Sequence, residues 1–284
     1  MKEIIVNKPK GDAIIHQLAS FYRIFKGVKF GEQLSFNLTQ LDWCSPLSIL
    51  PLVAYMQLTG SAYKTVENEQ TLSYLQKIQF PKGVDSISPL EQVLQDNKTF
   101  IPISVLKKDA PEIRGRLLAL FASLILKSLS FQEGIKNAIY YPIEELTNNI
   151  FEHSEQDMGF IFSQFYPKKK YLDVCIVDTG IGYAMSYKKE KGLNLSDEDA
   201  IAEVMKGHSV KKSNERGYGV RTSKRLTCEG LGGDFVIISG STMLISNKKE
   251  ETLFTGADFH WKGVIIAYRI PQPEQPVNIY PYIV

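Results

Sequence analysis

The most informative stretch of this chain is Glu145-Leu-Thr-Asn-Asn149-Ile-Phe-Glu-His153. On a helix it places a carboxylate, a carboxamide and an imidazole four residues apart on one face. A neighbouring row of apolar side chains at helical spacing predicts that the helix buries its other side: Ile139, Ile143, Leu146 and Ile150. Taken alone, the polar row fits a hydrogen-bonded edge of the core as well as it fits a functional site.

Two glycine motifs follow this helix along the chain. The first, Asp178-Thr-Gly180-Ile-Gly182, comes directly after Tyr171–Val177, whose β-branched and aromatic residues predict a strand. Two residues without Cβ beside a carboxylate let a flat ligand approach the backbone. The second motif, Arg216-Gly217-Tyr-Gly219, precedes a helix predicted from Val220, so backbone N–H groups and the helix N-terminus can bind anionic oxygens. Either glycine pair alone indicates a turn more often than a site.

In this order, the three motifs resemble the ATP-binding domain shared by gyrase, a heat-shock chaperone, sensor histidine kinases and mismatch-repair ATPases, the GHKL superfamily. They are most similar to its anti-sigma-factor kinase branch. The resemblance covers residues 108–271 and implies a Bergerat-type α/β sandwich whose mixed sheet carries helices on one face. It also implies a site for ATP and magnesium. The chain departs from the family pattern where Val264, rather than a threonine, follows Gly263.

The resemblance, together with the chemistry of the residues, predicts their roles. Asn149 is the expected magnesium ligand, because magnesium prefers oxygen ligands and keeps several waters. Glu145 is the expected catalytic residue, which orients or deprotonates the group that attacks the γ-phosphate. By resemblance, Asp178 accepts a hydrogen bond from the adenine amine. The other predicted nucleotide-binding residues are His153, Gly180, Gly182, Lys211, Lys212, Arg216, Gly217 and Gly219. For His153, a histidine that only satisfies the helix edge is an equal alternative.

Residues 183–216 are expected to form a lid that closes over the nucleotide. Within them, Ser196-Asp-Glu-Asp199 is typical of a helix start and Gly207 of a helix end, which predicts a helix of about ten residues. A basic cluster that contains one acid, Glu215, suits a triphosphate: Lys206, Lys211, Lys212, Arg216, Arg221, Lys224 and Arg225. An exposed basic face is the plain alternative, and a net charge of +2 argues against nucleic acid.

The first hundred residues predict a separate α/β unit. A strand at Leu34-Ser-Phe-Asn-Leu38, a helix start at Ser45-Pro46, an extended piece over 63–66 and a helical pattern over 71–78 follow one another. This order resembles a STAS domain, the fold of anti-anti-sigma factors. The resemblance implies a phosphorylatable Ser45 or Ser48, and a unit that either docks on the lid or presents Ser45 to the ATP site. The favoured alternative is that Ser45 only caps its helix.

Residues 84–104 show no clear periodicity and contain two prolines, so they are predicted to be a linker. The predicted domains are a STAS-like unit with this linker (1–104), the ATP-binding domain (105–271) and a Pro-rich tail (272–284). An amphipathic helix over 110–130 opens the second domain. The helix with the polar row begins at Pro142, or is longer and kinked there.

Composition excludes several classes of protein. The chain has 284 residues, of which 44% are hydrophobic, enough for two domains with cores of their own. The longest strictly apolar run, 117–122, is too short for a membrane span, and the N-terminus lacks the pattern of a signal peptide. Three scattered cysteines, Cys44, Cys175 and Cys228, lack metal-ligand spacing. We therefore expect a cytoplasmic protein.

These observations predict a regulatory protein that binds ATP and magnesium. It acts as a Ser/Thr protein kinase of the anti-sigma-factor type or as a slow ATPase switch, with a sigma-factor or STAS-type switch component as its partner. The alternative is a non-catalytic interaction module gated by nucleotide. A sensor kinase is disfavoured because His16 lies outside any acceptor-helix pattern, and a gyrase-like clamp because a short tail follows the last strand. Both favoured functions need Asn149 and Asp178, whereas only catalysis needs Glu145.

Overall fold

The computed structural model describes residues 1–95, 99–128, 134–208 and 219–283. The N-terminal unit, residues 1–77, is a small α/β layer whose strands β1 and β3 both pair in parallel with β2. Its elements are β1 (Lys2–Ile5), α1 (Ile14–Phe25), β2 (Leu34–Asn37), α2 (Pro46–Thr59), β3 (Ala62–Lys64) and α3 (Glu69–Lys77).

The rest of the described chain builds a seven-stranded sheet with helices. Its strands are β4 (Phe100–Lys107), β5 (Met158–Tyr166), β6 (Tyr171–Val177), β7 (Asp234–Gly240), β8 (Thr242–Ser246), β9 (Glu251–Thr255) and β10 (Trp261–Pro271). Its helices are α4 (Ser88–Gln95), α5 (Pro111–Ser128), α6 (Ile135–His153), α7 (Gly182–Lys191), α8 (Asp197–Lys206) and α9 (Gly219–Arg225). A π-helical turn, Leu226–Gly230, follows α9, and a short 3₁₀ turn, Tyr280–Tyr282, lies in the tail.

The chain is α/β, as predicted, but the prediction of a mixed sheet is wrong. The strand order is β4-β5-β6-β10-β7-β8-β9, and each neighbouring pair is antiparallel. Short turns join β5 to β6, β7 to β8 and β8 to β9, which forces those neighbours to run in opposite directions. The last strand, β10, then returns between β6 and β7 and opposes both of them.

The helices that follow β4 lie on one face of this sheet, as predicted, but the second face is covered as well. Side chains alternate along β10: Ile266 and Ile270 join the core beneath α5 to α9, whereas Ile265 and Ala267 join a core that includes α1 and α2. Helix α2 contacts β5, β6 and β10. The N-terminal unit therefore docks on the second face of the sheet.

The predicted linker contains a helix and a strand. Residues 88–95 form α4, and residues 100–107 form β4 at the edge of the large sheet, so a boundary at 104 falls inside a strand. Pro89 lies in the first turn of α4, where a missing N–H is tolerated. Pro102 lies where the register between β4 and β5 shifts, a position that also tolerates proline. The prediction that the two prolines interrupt regular secondary structure is therefore wrong.

Several helix and strand predictions are confirmed. The strand Tyr171–Val177 forms as predicted, α9 begins at Gly219, and α8 runs over ten residues from its cap at Ser196 to Gly207. A helix that begins at Pro142 is wrong, because α6 begins at Ile135 and passes through that proline, as in the longer alternative.

Ser45 caps α2, as the favoured alternative predicted. Its N–H donates to Ser48 Oγ at 2.7 Å, and Pro46 is the first residue of the helix. Both serine side chains are buried, so the hydroxyl groups are not at a surface where a kinase site could reach them. Within the described ranges, no helix combines the length and apolar character needed to cross a bilayer.

Candidate functional site

The polar row of α6 lies at the edge of a buried helix. Its apolar row, Ile139, Ile143, Leu146 and Ile150, is buried as predicted. Asn149 and His153, one turn apart, face a small cavity below the helix, whereas Glu145 is half-buried and is not among the residues that line it.

The cavity lies between α6, the start of α7, and strands β6 and β10. Its volume is about 30 Å³. The lining residues are Leu146, Asn149, Ile150, His153, Ser154, Ile176, Asp178, Gly182, Tyr183, Ser186, Val264 and Ile266. The fold thus brings together Asn149, His153, Asp178 and Gly182, which belong to two motifs almost thirty residues apart in sequence.

Among the described residues, Asp178 is the one buried carboxylate that lines this cavity. The residue is only 4% exposed, and its Oδ1 accepts a hydrogen bond from Gly180 N at 2.8 Å. Burial raises the pKa of Asp178 to about 7, while backbone hydrogen bonds with Gly180 and Val264 lower it. Among the described residues, no side chain donates a hydrogen bond to this carboxyl group, so it retains acceptor capacity.

Glycines form a close cradle around this carboxyl group. At Gly263, which has φ of 117°, a Cβ would lie 2.7 Å from Gly180 N and 2.8 Å from Asp178 Oδ1. At Gly182, with φ of 71°, a Cβ would lie 2.9 Å from Ser239 Oγ, which accepts a hydrogen bond from Tyr183 N. Both positions therefore require glycine for conformation and for space.

Gly180 joins the first glycine motif to the end of α6. A Cβ at this position would collide with the backbone oxygen of Ser154, the residue that ends the helix. The same oxygen accepts a hydrogen bond from Ile181 N at 3.1 Å. The absence of a side chain at Gly180 is what allows the loop to reach the helix, and so places Asp178 opposite Asn149.

The second glycine motif meets Glu145. Gly219 is the first residue of α9, and a Cβ there would lie 2.5 Å from Glu145 Oε2. Glu145 therefore faces the start of α9 and not the Asp178 cavity. Four predicted nucleotide-binding residues lie outside the described residues: Lys211, Lys212, Arg216 and Gly217.

His153 lies in the wall of the cavity. Its ring lines the cavity, and its Nε2 lies 3.8 Å from Glu152 Oε2. Its backbone oxygen accepts a hydrogen bond from Ser186 Oγ at 3.2 Å, which ties α7 to the end of α6. The histidine thus forms part of the cavity wall and also connects α6 to α7.

The part of the predicted basic cluster that the structure describes is largely paired with acids. Lys206 pairs with Glu203 at 2.7 Å, Lys224 with Glu251, and Arg225 Nε lies 3.7 Å from Glu229. These three acids lie outside the stretch of sequence that contains the basic cluster. The sequence prediction counted only Glu215 within that stretch and so missed them. The three basic side chains bind protein carboxylates in this structure.

The polar groups of the cavity fit the adenine end of a nucleotide, but the volume of the cavity does not. A buried acceptor in a glycine cradle suits a flat ring with an exocyclic amine. However, a cavity of about 30 Å³ has room for one or two water molecules and not for a purine. A nucleotide therefore requires the side chains that line the cavity to move apart.

A metal at this site would depend on few protein ligands. The described residues contain no cluster of three or more His, Cys, Asp and Glu side chains suited to a metal. The carboxamide oxygen of Asn149 on the cavity wall would be a single ligand, which fits magnesium because that ion keeps waters and binds phosphate oxygens.

Sequence reasoning missed Tyr183, Trp261 and the whole of α7. The glycines of Asp178-Thr-Gly180-Ile-Gly182 predicted a loop, yet Gly182 is the first residue of a ten-residue helix. Trp261 donates its indole N–H to the backbone oxygen of Asp178 at 3.1 Å. The sequence contains no signal for that contact, because the two residues are 83 positions apart.

Comparison with known proteins does not assign the chain to a family. No known family model matches it, and no curated protein is significantly similar to it in sequence. The resemblance described above rests on the motifs alone.

Proposed function

We propose that this chain is a regulatory protein that binds ATP with magnesium at the cavity between α6, α7 and β10. The observation that supports the proposal most is Asp178. It is a buried carboxyl group with spare acceptor capacity, it lies in a cradle of glycines, and it lines the same cavity as Asn149. A stability role does not account for a buried acid of this kind, since burying a carboxylate without a cation costs free energy.

The chemistry of Asp178 favours adenine over guanine. Adenine presents an exocyclic amine, a donor that a carboxylate can accept. Guanine presents a carbonyl oxygen at the same ring position, and two acceptors facing each other in a buried site repel. A site of this kind rejects the wrong base strongly, because its buried polar group is left unpaired.

The phosphate end of the proposed site lies towards α9. Asn149 would hold magnesium, and Gly219, at the N-terminus of α9, lies beside Glu145. When bound there, magnesium would neutralise phosphate charge. The carboxylate of Glu145 would orient or deprotonate the group that attacks the γ-phosphate.

The proposed activity is phosphoryl transfer to a Ser or Thr of a partner protein, or slow ATP hydrolysis, coupled to a change of binding partner. The proposed partner is a regulatory protein of the sigma-factor or STAS switch type, and the proposed location is the cytoplasm. The alternative, a non-catalytic module gated by nucleotide, has its own support, because Glu145 lies outside the lining of the Asp178 cavity.

Nucleotide selectivity tests this proposal. We expect saturable binding of ATP with magnesium in a calorimetric titration of the full chain, and binding of GTP weaker by about 100-fold. Adenosine should compete with ATP, whereas ribose 5-phosphate should not. Equal affinity for ATP and GTP would show that the base is not bound at Asp178.

A further inference from the structure

The two edges of the seven-stranded sheet are treated differently. Along β4, the segment before α4 covers the outer edge: Val84 N donates to Ile103 O at 2.8 Å, and Val105 N donates to Val84 O at 2.7 Å. Along β9, at the opposite edge, no described residue makes a backbone hydrogen bond on the outer side. The outer N–H and C=O groups of β9 are therefore available to another strand.

The composition of β9 lacks the usual protection of an exposed edge. Natural edge strands carry lysine, proline or a bulge that discourages pairing with another chain. The other outer strands each contain a lysine: Lys2 in β1, Lys64 in β3 and Lys107 in β4. Strand β9 reads Glu-Thr-Leu-Phe-Thr, with no lysine, proline or register shift against β8.

The one charge in β9 does not protect the edge either, because it points at the protein's own helices. Glu251 accepts a hydrogen bond from Ser246 Oγ at 2.6 Å and pairs with Lys224 of α9. Leu253 packs on the same side, against the core beneath the helices. Thr255 also points that way, donating to Glu198 of α8 at 3.3 Å.

The opposite face of β9 exposes apolar surface at the edge itself. Phe254 is 44% exposed, and across a groove Ile15 of α1 is 40% exposed. This groove has a volume of about 300 Å³ and an apolar lining: Ile15, Leu18, Ala19, Tyr22, Met243, Phe254, Thr255 and Gly256. An apolar groove beside an unpaired edge is the kind of surface that a second strand covers.

The pattern of β9 is self-complementary. Residues directly opposed in an antiparallel pair point to the same face, so Leu253 can oppose only Glu251, Leu253 or Thr255 of an identical strand. Of these registers, Leu253 opposite Leu253 is the one that pairs all five residues of β9. It sets Thr252 opposite Phe254 of the second copy.

Charge supports antiparallel pairing beyond the ends of the strand. Lys248 lies in the turn before β9 and Asp258 in the turn after it, so antiparallel pairing brings the turn with Lys248 near the turn with Asp258 of the second copy, at both ends of the pair. Both residues are exposed, and neither has an ion-pair partner among the described residues. A register shifted by two residues in either direction loses the full pairing of the five residues.

We infer that two copies of this chain associate through antiparallel pairing of β9 with β9, with Leu253 on the two-fold axis. The pairing joins two seven-stranded sheets into one continuous sheet. It covers the unprotected edge and moves Phe254 from solvent onto Thr252 of the second copy. The inference does not depend on the proposed nucleotide site, which lies on the helix side between β6 and β10.

Sedimentation of the full chain over a concentration series tests the association. We expect a monomer–dimer equilibrium, with a dissociation constant raised by about tenfold or more in Phe254→Lys, because the substitution places two like charges near the axis. The matched control is Tyr63→Lys, since Tyr63 is a comparably exposed aromatic residue on β3. A wild-type chain that is monomeric at all concentrations, or a dimer equally weakened by both variants, would overturn the inference.

The register has its own test. In Leu253→Cys, the two introduced thiols face each other across the axis and should form a disulfide-linked dimer on mild oxidation, since Cα atoms of opposed residues are about 5 Å apart. In Thr252→Cys each introduced thiol lies opposite Phe254 of the second copy, two residues away from the other thiol. This variant should not form the disulfide-linked dimer. The three native cysteines are buried and do not compete. A dimer in which neither variant cross-links uses another surface and contradicts the inference.

Discussion

The indole N–H of Trp261 donates a hydrogen bond to the backbone oxygen of Asp178 over 3.1 Å. Trp261 is 1% exposed, and its ring packs edge-on against three aromatic side chains of the N-terminal unit: Phe21, Phe25 and Phe30. The residue that carries the candidate adenine acceptor is therefore held from behind by the N-terminal unit. The N-terminal unit thus supports the site through Trp261, and none of its described residues lines the cavity itself.

Trp261→Phe is expected to weaken both folding and nucleotide binding. It keeps an aromatic ring but leaves the buried Asp178 oxygen without its donor, which costs about 1–3 kcal/mol in the free energy of unfolding. Chemical denaturation and ATP titration would measure the two effects. Trp43→Phe is the control, because Trp43 packs on Tyr166 far from Asp178. Equal effects of the two substitutions on ATP binding would show that Trp261 does not support the site.

Asp178→Asn is expected to stabilise the ligand-free protein at high pH. The carboxyl group ionises near pH 3.8 when unfolded and near pH 7 when folded, so the folded chain holds a proton that the unfolded chain has lost in between. The free energy of unfolding therefore falls as pH rises from about 4 to about 7. Asparagine removes this loss, and we expect a gain of about 1–3 kcal/mol at pH 8 after the loss of one backbone hydrogen bond.

Thermal unfolding at pH 4 and at pH 8 checks this prediction. The gain should be present at pH 8 and absent at pH 4. A gain of the same size at both values would mean that Asp178 does not titrate between them.

Two glycines at the ends of α7 offer a matched pair of substitutions. Gly182 and Gly192 have nearly the same positive φ, 71° and 70°, but a Cβ meets Ser239 Oγ and Gly263 O at the first and open space at the second. We expect Gly192→Ala to cost about 1 kcal/mol from backbone strain alone. Gly182→Ala should cost clearly more and also abolish ATP binding. Calorimetry on both variants measures this, and unchanged binding in Gly182→Ala would exclude the glycine cradle from the site.

Glu145→Gln separates catalysis from binding. The amide keeps the size of the side chain beside Gly219 but cannot act as a base, so ATP affinity should stay while γ-phosphate release falls by about 10²–10⁴. Glu144→Gln is the control, since Glu144 is an exposed neighbour on the same helix. Release that persists in Glu145→Gln would assign the chemistry to another group, and a wild-type chain that binds ATP without releasing phosphate would favour the non-catalytic module.

The sequence predicted local elements better than contacts between distant segments, for physical reasons. Local patterns carry strong signals: the apolar row of α6, the strand before Asp178, and the cap at Ser196 all form as predicted. Such features depend on residues close together in the chain. The two prolines of 84–104 were misread because proline is also tolerated in the first turn of a helix and at a register shift, as Pro89 and Pro102 are.

Contacts between distant segments were the hardest to predict. Nothing local in the sequence indicates that α1 and α2 would cover the second face of the large sheet. The buried pair of Asp173 and Arg269 shows why: Arg269 Nε lies 2.7 Å from Asp173 Oδ1, and Gln17 of α1 donates to the same carboxylate. In sequence, Asp173 is one polar residue in an apolar strand, and its partners lie 96 and 156 positions away.

Titration of the full chain with ATP and magnesium, followed by calorimetry, tests the central claim most directly. We predict saturable binding to one site per chain in the wild type, weakened by about tenfold or more in Asp178→Asn, because the amide presents a donor where adenine also presents one. In Asn149→Ala, the dependence of affinity on magnesium should be lost while adenosine still binds. If Asp178→Asn binds ATP as tightly as the wild type, or if the wild type does not bind ATP at all, the proposed site is contradicted.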